Sequence, residues 1–210
     1  MSYEAKCPID GTRFEASAVA SGTYFGRMLD FKPVGAVFDP PPLAICPKDG
    51  FIVGEYTRAE RKKLKPWVES SEYRALLAES PYSRLASIYE FLGYDAGTIA
   101  WTYLRASWIA SEDTPEDYPR YAESAFERFT TVLQTRTEWD ETKIDLAFLC
   151  VELERRLGRF ENAQRRATEL ADAVSDPDPY LLQLLDYQLE LIGKSDNRPH
   201  HMPPHTVVED

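Results

Sequence analysis

Two matching pentapeptides constrain this chain more than any other feature: Cys7-Pro8-Ile9-Asp10-Gly11 and Cys46-Pro47-Lys48-Asp49-Gly50. Each has the form of a zinc knuckle with Asp in place of the second Cys. Two residues separate the ligand positions of a knuckle, so one tight turn presents both to the same ion. The Gly that follows supplies the left-handed backbone that closes the turn. Zinc takes four ligands in a tetrahedron, from thiolate, imidazole or carboxylate. Two thiolates and two carboxylates carry the same formal charge as four thiolates. Cys7, Asp10, Cys46 and Asp49 therefore form a candidate shell for one structural zinc ion. A second reading needs no metal. Asp-Gly is a favourable turn dipeptide, and Asp10 and Asp49 would then accept backbone N–H bonds inside their own turns. A Cys7–Cys46 disulfide is a third reading.

The residues around the knuckles are rich in Pro, Gly and aromatics and show no helical period. Thr12 to Ala16 reads as a short strand, as do Leu43-Ala44-Ile45 before the second knuckle and Phe51-Ile52-Val53 after it. Strand, knuckle, strand is the order of a ribbon. The stretch from Asp30 to Pro42 reads as an extended loop, because Pro40, Pro41 and Pro42 cannot donate to a sheet ladder. Residues 1–56 are thus expected to form a small zinc-ribbon-like β lobe.

From residue 57 the period changes to that of helices. Thr57 with Glu60 is a capping-box pair, opening a helix expected to end near Lys65-Pro66. Further helices are expected over 72–79, 82–92, from Thr98 through Trp108, from Asp117-Pro119 through Leu133, 144–157, 160–174 and 180–192. Gly93, Gly158 and Gly193 stand at helix ends. Short connections make neighbours antiparallel. Arg156-Leu157-Gly158-Arg159-Phe160-Glu161-Asn162-Ala163 is similar to the interhelical turn of a tetratricopeptide repeat, and Ala167 and Leu170 continue its spacing. A chance match in an ordinary helical bundle is the alternative. The fold class expected is mainly α: the ribbon-like lobe, then antiparallel helical hairpins of degenerate tetratricopeptide-like type over 57–193, then a flexible tail over 194–210.

The order of Cys-Pro knuckle, Asp30-Phe31, a Pro-rich approach to Cys46-Pro47 and a degenerate helical repeat resembles a bacterial family called Domain of Unknown Function 2225. The resemblance covers residues 7 to about 192. It implies an N-terminal pair of metal knuckles with Cys7 and Cys46 as ligands, and a tetratricopeptide-like C-terminal region. Asp10 and Asp49 depart from it, standing where the family has Cys. The family brings no established activity.

Charge and composition limit the remaining function classes. The 210 residues carry a net charge of -11, which argues against general affinity for nucleic acid or anionic lipid. No apolar run approaches the roughly 18–20 residues that cross a bilayer. Met1 to Lys6 holds no apolar stretch, so no export signal and a cytoplasmic location are expected. The three histidines, His200, His201 and His205, all follow Gly193, which leaves no buried His base. There is no phosphate-binding Gly loop, no His-Glu-x-x-His and no nucleophile elbow. Cys150 sits in the apolar run 146–151 and reads as a buried core thiol. Arg155, Arg156, Arg159, Arg165 and Arg166 have Glu152, Glu154 and Glu161 nearby to neutralise them. Tyr82, Tyr89, Tyr94, Trp101, Tyr103 and Trp108 fall at core spacing, and any facing outward would make a peptide-binding surface. The expectation is a non-enzymatic cytoplasmic adaptor that binds a protein or peptide partner through its helical surface, with the ribbon lobe as a structural cap. One alternative is a nucleic-acid-associated ribbon protein using the basic segment 58–65, which would show as salt-sensitive binding. The least favoured is an enzyme with an acid–base site between the lobes.

Overall fold

Local capping chemistry sets most helix ends. In the computed structural model, which describes residues 1–35, 40–175 and 177–204, α1 (Arg58–Val68) opens with the Thr57–Glu60 capping box. The Glu60 N–H donates to Thr57 Oγ1 at 3.2 Å, and the Thr57 N–H donates to Glu60 Oε2 at 2.6 Å. α2 (Ser71–Ala75) runs on into a single 3-10 turn at Leu76–Ala78. α3 (Pro81–Leu92) starts with proline in its first turn and stops at left-handed Gly93. α4 (Ala96–Asp113) is capped by Asp95, which binds the Thr98 N–H that the sequence had suggested as the start. α5 (Tyr118–Thr135), α6 (Glu141–Arg156), α7 (Phe160–Ala173) and α8 (Pro179–Gly193) complete the helices, with Asp140 capping α6 and Asp178 capping α8.

The structure is mainly helical, with small antiparallel β pairs in the N-terminal part. β1 (Ser2–Lys6) pairs with β2 (Arg13–Ser17) across the first knuckle, in the register Ala5 to Phe14. β3 (Tyr24–Arg27) pairs with β4 (Pro33–Gly35), and β4 lies inside the Asp30–Pro42 stretch expected as loop. Residues 36–39 of that stretch lie outside the described residues, as does Asp176. The flanks of the second knuckle form a single bridge, Ile45 to Ile52, rather than two strands. α1 runs three residues past its expected end. Pro66 falls in the last turn, where its ring removes one N–H bond, and burial of Trp67 and Val68 on the inner face offsets that loss.

The described residues group into two compact units, Met1–Thr23 with Ala36–Tyr121, and Tyr24–Gly35 with Ala122–Asp210. In the first, α3 packs on α4, and Trp67 lies against Tyr73 and stacks on Phe91. In the second, α6 packs on α7 and α7 on α8. Leu29, Phe148, Val151, Ala163, Leu170, Leu185 and Ile192 form its core, with Phe31 stacked on Phe148.

A buried polar network sits beside that core. Arg155 is wholly buried and donates to both carboxylate oxygens of Glu152 and to Gln188 Oε1. Gln188 in turn donates to Glu152 at 2.8 Å. The remaining Arg155 donors reach the backbone carbonyls of Asp196 and Arg198. Residues 194–204, expected to be part of a flexible tail, are therefore hydrogen-bonded to the second unit. His205 lies outside the described residues. Arg156 faces Asp30 at 3.8 Å, and both are buried.

Burial pushes the Glu152 carboxyl up to about 7, while Arg155 pulls it the other way. An ordinary Glu in an unfolded chain titrates near about 4.3. Between those values the folded chain keeps a proton that the unfolded chain has released. The stabilising share of this group is therefore full below about pH 4.3 and is lost as the pH rises through about 7. From pH 5 to pH 7.5 the wild type should lose stability relative to Glu152→Gln, by on the order of 2 kcal/mol. Urea midpoints at both pH values measure this. A difference that does not change with pH would contradict it.

Candidate metal centre

Each knuckle is built by the same three bonds. In the first, the Gly11 N–H donates to Cys7 O at 3.0 Å and the Cys7 N–H to Thr12 O at 2.8 Å. In the second, the Gly50 N–H donates to Cys46 O at 2.9 Å and the Cys46 N–H to Phe51 O at 2.8 Å. The third bond comes from the Asp: Thr12 N–H donates to Asp10 Oδ1 at 2.9 Å, and Phe51 N–H to Asp49 Oδ1 at 3.0 Å. Gly11 and Gly50 have φ of 81° and 69°, the left-handed conformation that the Asp-Gly pairing anticipates.

The two turns face each other. One ligand atom from each of Cys7, Asp10, Cys46 and Asp49 lies within 4.8 Å of all the others, close enough to hold a metal ion. A zinc tetrahedron with two Zn–S bonds of about 2.3 Å and two Zn–O bonds of about 2.0 Å has edges of about 3.3–3.8 Å, so these distances would shorten by up to about 1.5 Å on an ion. Cys7 and Cys46 are free thiols, each 1% exposed, with no disulfide between them. Burial pushes the Cys7 thiol up to about 12. Metal entry would displace thiol protons, as thiolate ligation requires. Thr12 holds the Asp10 carboxyl well below the usual carboxylate range, with Lys48 adding to the effect.

The donor set fits a zinc-like ion, and its carboxylates also close the turns themselves. Asp49 commits one oxygen to its turn. Asp10 commits both: Oδ2 accepts from the Thr12 hydroxyl at 2.7 Å and lies 3.1 Å from the Lys48 ammonium. Lys48 is thus the cation that neutralises Asp10 in this structure. Beside the cluster opens a cleft of about 580 Å³, lined in part by Lys48, Lys65, Glu69 and Arg74.

Two residues that support the second knuckle carry no obvious sequence signal: the Gly50 carbonyl accepts from the Tyr73 hydroxyl at 3.2 Å and from Arg84 Nη1 at 2.8 Å. Lys48, inside the second knuckle, pairs instead with Asp10 of the first. Arg84 is a charged residue buried on the inner face of α3.

The other sequence candidates separate clearly. On α1, Arg58, Arg61, Lys62, Lys63 and Lys65 are all exposed. The arginines of the later helices pair internally: Arg155 with Glu152, Arg159 with Glu123, Arg165 with Glu169 and Arg166 with Glu154. Tyr82, Tyr103 and Trp108 are buried, and Tyr89, Tyr94 and Trp101 are half-buried, so none of these six aromatics is exposed. Cys150 is buried, as expected. No helix among the described residues is long and apolar enough to cross a membrane.

The two glycines should differ in tolerance. A Cβ at Gly50 would lie 2.6 Å from Leu77 Cδ2 and 2.7 Å from Arg84 Nη1, whereas at Gly11 the nearest atom is 3.8 Å away. Gly11→Ala should cost about 1 kcal/mol, for the left-handed backbone alone. Gly50→Ala should cost about 2–4 kcal/mol, because crowding is added. Urea denaturation of both variants measures the difference, and equal losses would contradict it.

No family model matches the chain, and comparison with curated proteins and with solved structures finds no match.

Proposed function

We propose that this chain is a non-enzymatic cytoplasmic adaptor, with its knuckle pair acting as a structural cap around one zinc-like ion. The observation that carries this reading is the four-group donor set. Catalytic zinc keeps three protein ligands and an open position, whereas structural zinc is closed by four. Here four side chains converge from two turns, and both thiols are buried. The same pair of knuckles underlies the resemblance to the Domain of Unknown Function 2225 family.

The helical hairpins are the partner-binding part in this proposal. A tetratricopeptide-like reading of α6 and α7 is supported by the turn at Gly158, with φ of 74°, and by Ala163, Ala167 and Leu170 buried on α7. Phe91 on α3, Trp139 before α6 and Leu182 on α8 are large apolar residues left exposed. Photo-crosslinking residues at these three positions of the full chain, in its own cells, should each be able to report a partner. A discrete crosslinked protein from at least one position is expected. No crosslinked species from any of them would overturn the adaptor reading.

Reduced full-length protein should hold about one metal equivalent by elemental mass spectrometry, and the Cys7→Ser, Cys46→Ser double variant should hold none. The double variant should also be less stable by at least about 2 kcal/mol. Folded, reduced wild type without metal would reduce the knuckles to Asp-Gly turns held by packing.

A further inference from the structure

The segment after α8 has no regular secondary structure, yet it is bound along most of its length. The Leu29 N–H donates to His200 O and the Met202 N–H to Arg27 O, both at 2.9 Å, so the segment adds an antiparallel bridge just beyond β3. The buried Arg155 guanidinium holds the carbonyls of Asp196 and Arg198. One face of α8 supplies the other wall. Tyr180 OH donates to Pro203 O at 2.9 Å, Gln183 Nε2 to Pro204 O at 3.4 Å, and Tyr187 OH meets His200 Nδ1 at 3.3 Å. Met202 packs against the core of the second unit.

These contacts have the character of peptide recognition. Nearly all of them reach main-chain atoms, which is how a groove binds an extended chain by strand addition, with a few side-chain pockets setting preference. Pro199, Pro203 and Pro204 hold the segment extended and bring no N–H that would need a partner. The segment is joined to α8 through Lys194 and Ser195, and Ser195 has φ of 51°. That conformation belongs to the end of α8, where the Ser195 N–H donates to Ile192 O at 2.9 Å and the Asp196 N–H to Leu191 O at 3.0 Å.

We propose that the stretch from Asp196 to Pro204 is a tethered ligand. The groove it fills is a docking site for a partner protein's extended peptide, one that carries an unbranched apolar residue followed by two prolines. This deepens the adaptor reading and rests on it. The partner peptide competes with a segment whose tether gives it an effective concentration of roughly millimolar order, so the strap keeps weak binders out.

The test uses the full chain carrying Met202→Asp, which loosens the strap and leaves the groove residues intact. The probe is a fluorescent peptide with the sequence Asp-Asn-Arg-Pro-His-His-Met-Pro-Pro, followed by anisotropy. Saturable binding to Met202→Asp is expected, at least about tenfold tighter than to wild type. No saturable binding to a folded Met202→Asp chain overturns the proposal. So does a concentration-dependent dimer of the wild type, with the groove filled by a second copy's segment. Hydrogen exchange on wild type covers the case in which the variant does not fold. The Leu29 and Met202 amides should exchange by local opening, faster than those of Leu149 and Val151 in α6. Equal protection would mean that the segment leaves only on global unfolding, and would end the proposal. Crosslinks from Phe91 would preserve the adaptor reading if the groove fails, so the two failures are distinguishable.

Discussion

A guanidinium with no access to water organises the second unit. Arg155 cannot shed its charge, so every one of its donors has to find an acceptor inside the protein. Glu152 accepts on both of its carboxyl oxygens, Gln188 holds that group from α8, and the backbone of 196–198 takes the remaining donors. Each of these partners comes from a different part of the chain. The interaction adds little to the hydrophobic core in free energy, since desolvating the ions offsets much of their attraction. It does add direction. Apolar packing of α6 against α7 and α8 tolerates small slips, whereas a forked, fully satisfied cation does not.

In the first unit the corresponding constraint is a repeated backbone turn. Two five-residue segments fold identically because each contains the same Cys carbonyl, the same left-handed Gly and the same Asp acceptor. The turns then differ in what surrounds them. The first is bordered by a hairpin, and its Gly has room. The second is gripped through its Gly50 carbonyl by Tyr73 and Arg84, which ties it to α2 and α3.

Features fixed by near neighbours in sequence were legible. The capping residue Thr57, the stop at Gly93 and the knuckle glycines depend on bonds spanning a few residues, and the sequence carries them in full. Each Cys-x-x-Asp turn was legible for the same reason, whereas the approach of the two turns to within 4.8 Å depends on the fold. Features that depend on distant partners were not legible. The β3–β4 hairpin has three- and four-residue strands with little alternation. Pro66 signalled an end to α1 that burial of Trp67 overruled. The segment after Gly193 is polar and proline-rich, which in isolation reads as flexible; its order comes from Arg155, some forty residues earlier. Tyr73 and Arg84 reach the knuckle across 23 and 34 residues, and no local pattern announces such a reach.

The placement of sulfur has a practical side. All three thiols are buried, Cys7 and Cys46 in the first unit and Cys150 in the second. Burial also pushes Cys150 up to about 12, so in the folded chain it is protonated as well as shielded. A thiol reagent can react only after the surrounding structure opens. Each unit therefore carries its own native clock for opening events, with no engineered label. Mass shifts at Cys150 time the unit built on α6, α7 and α8, and shifts at Cys7 and Cys46 time the knuckle pair.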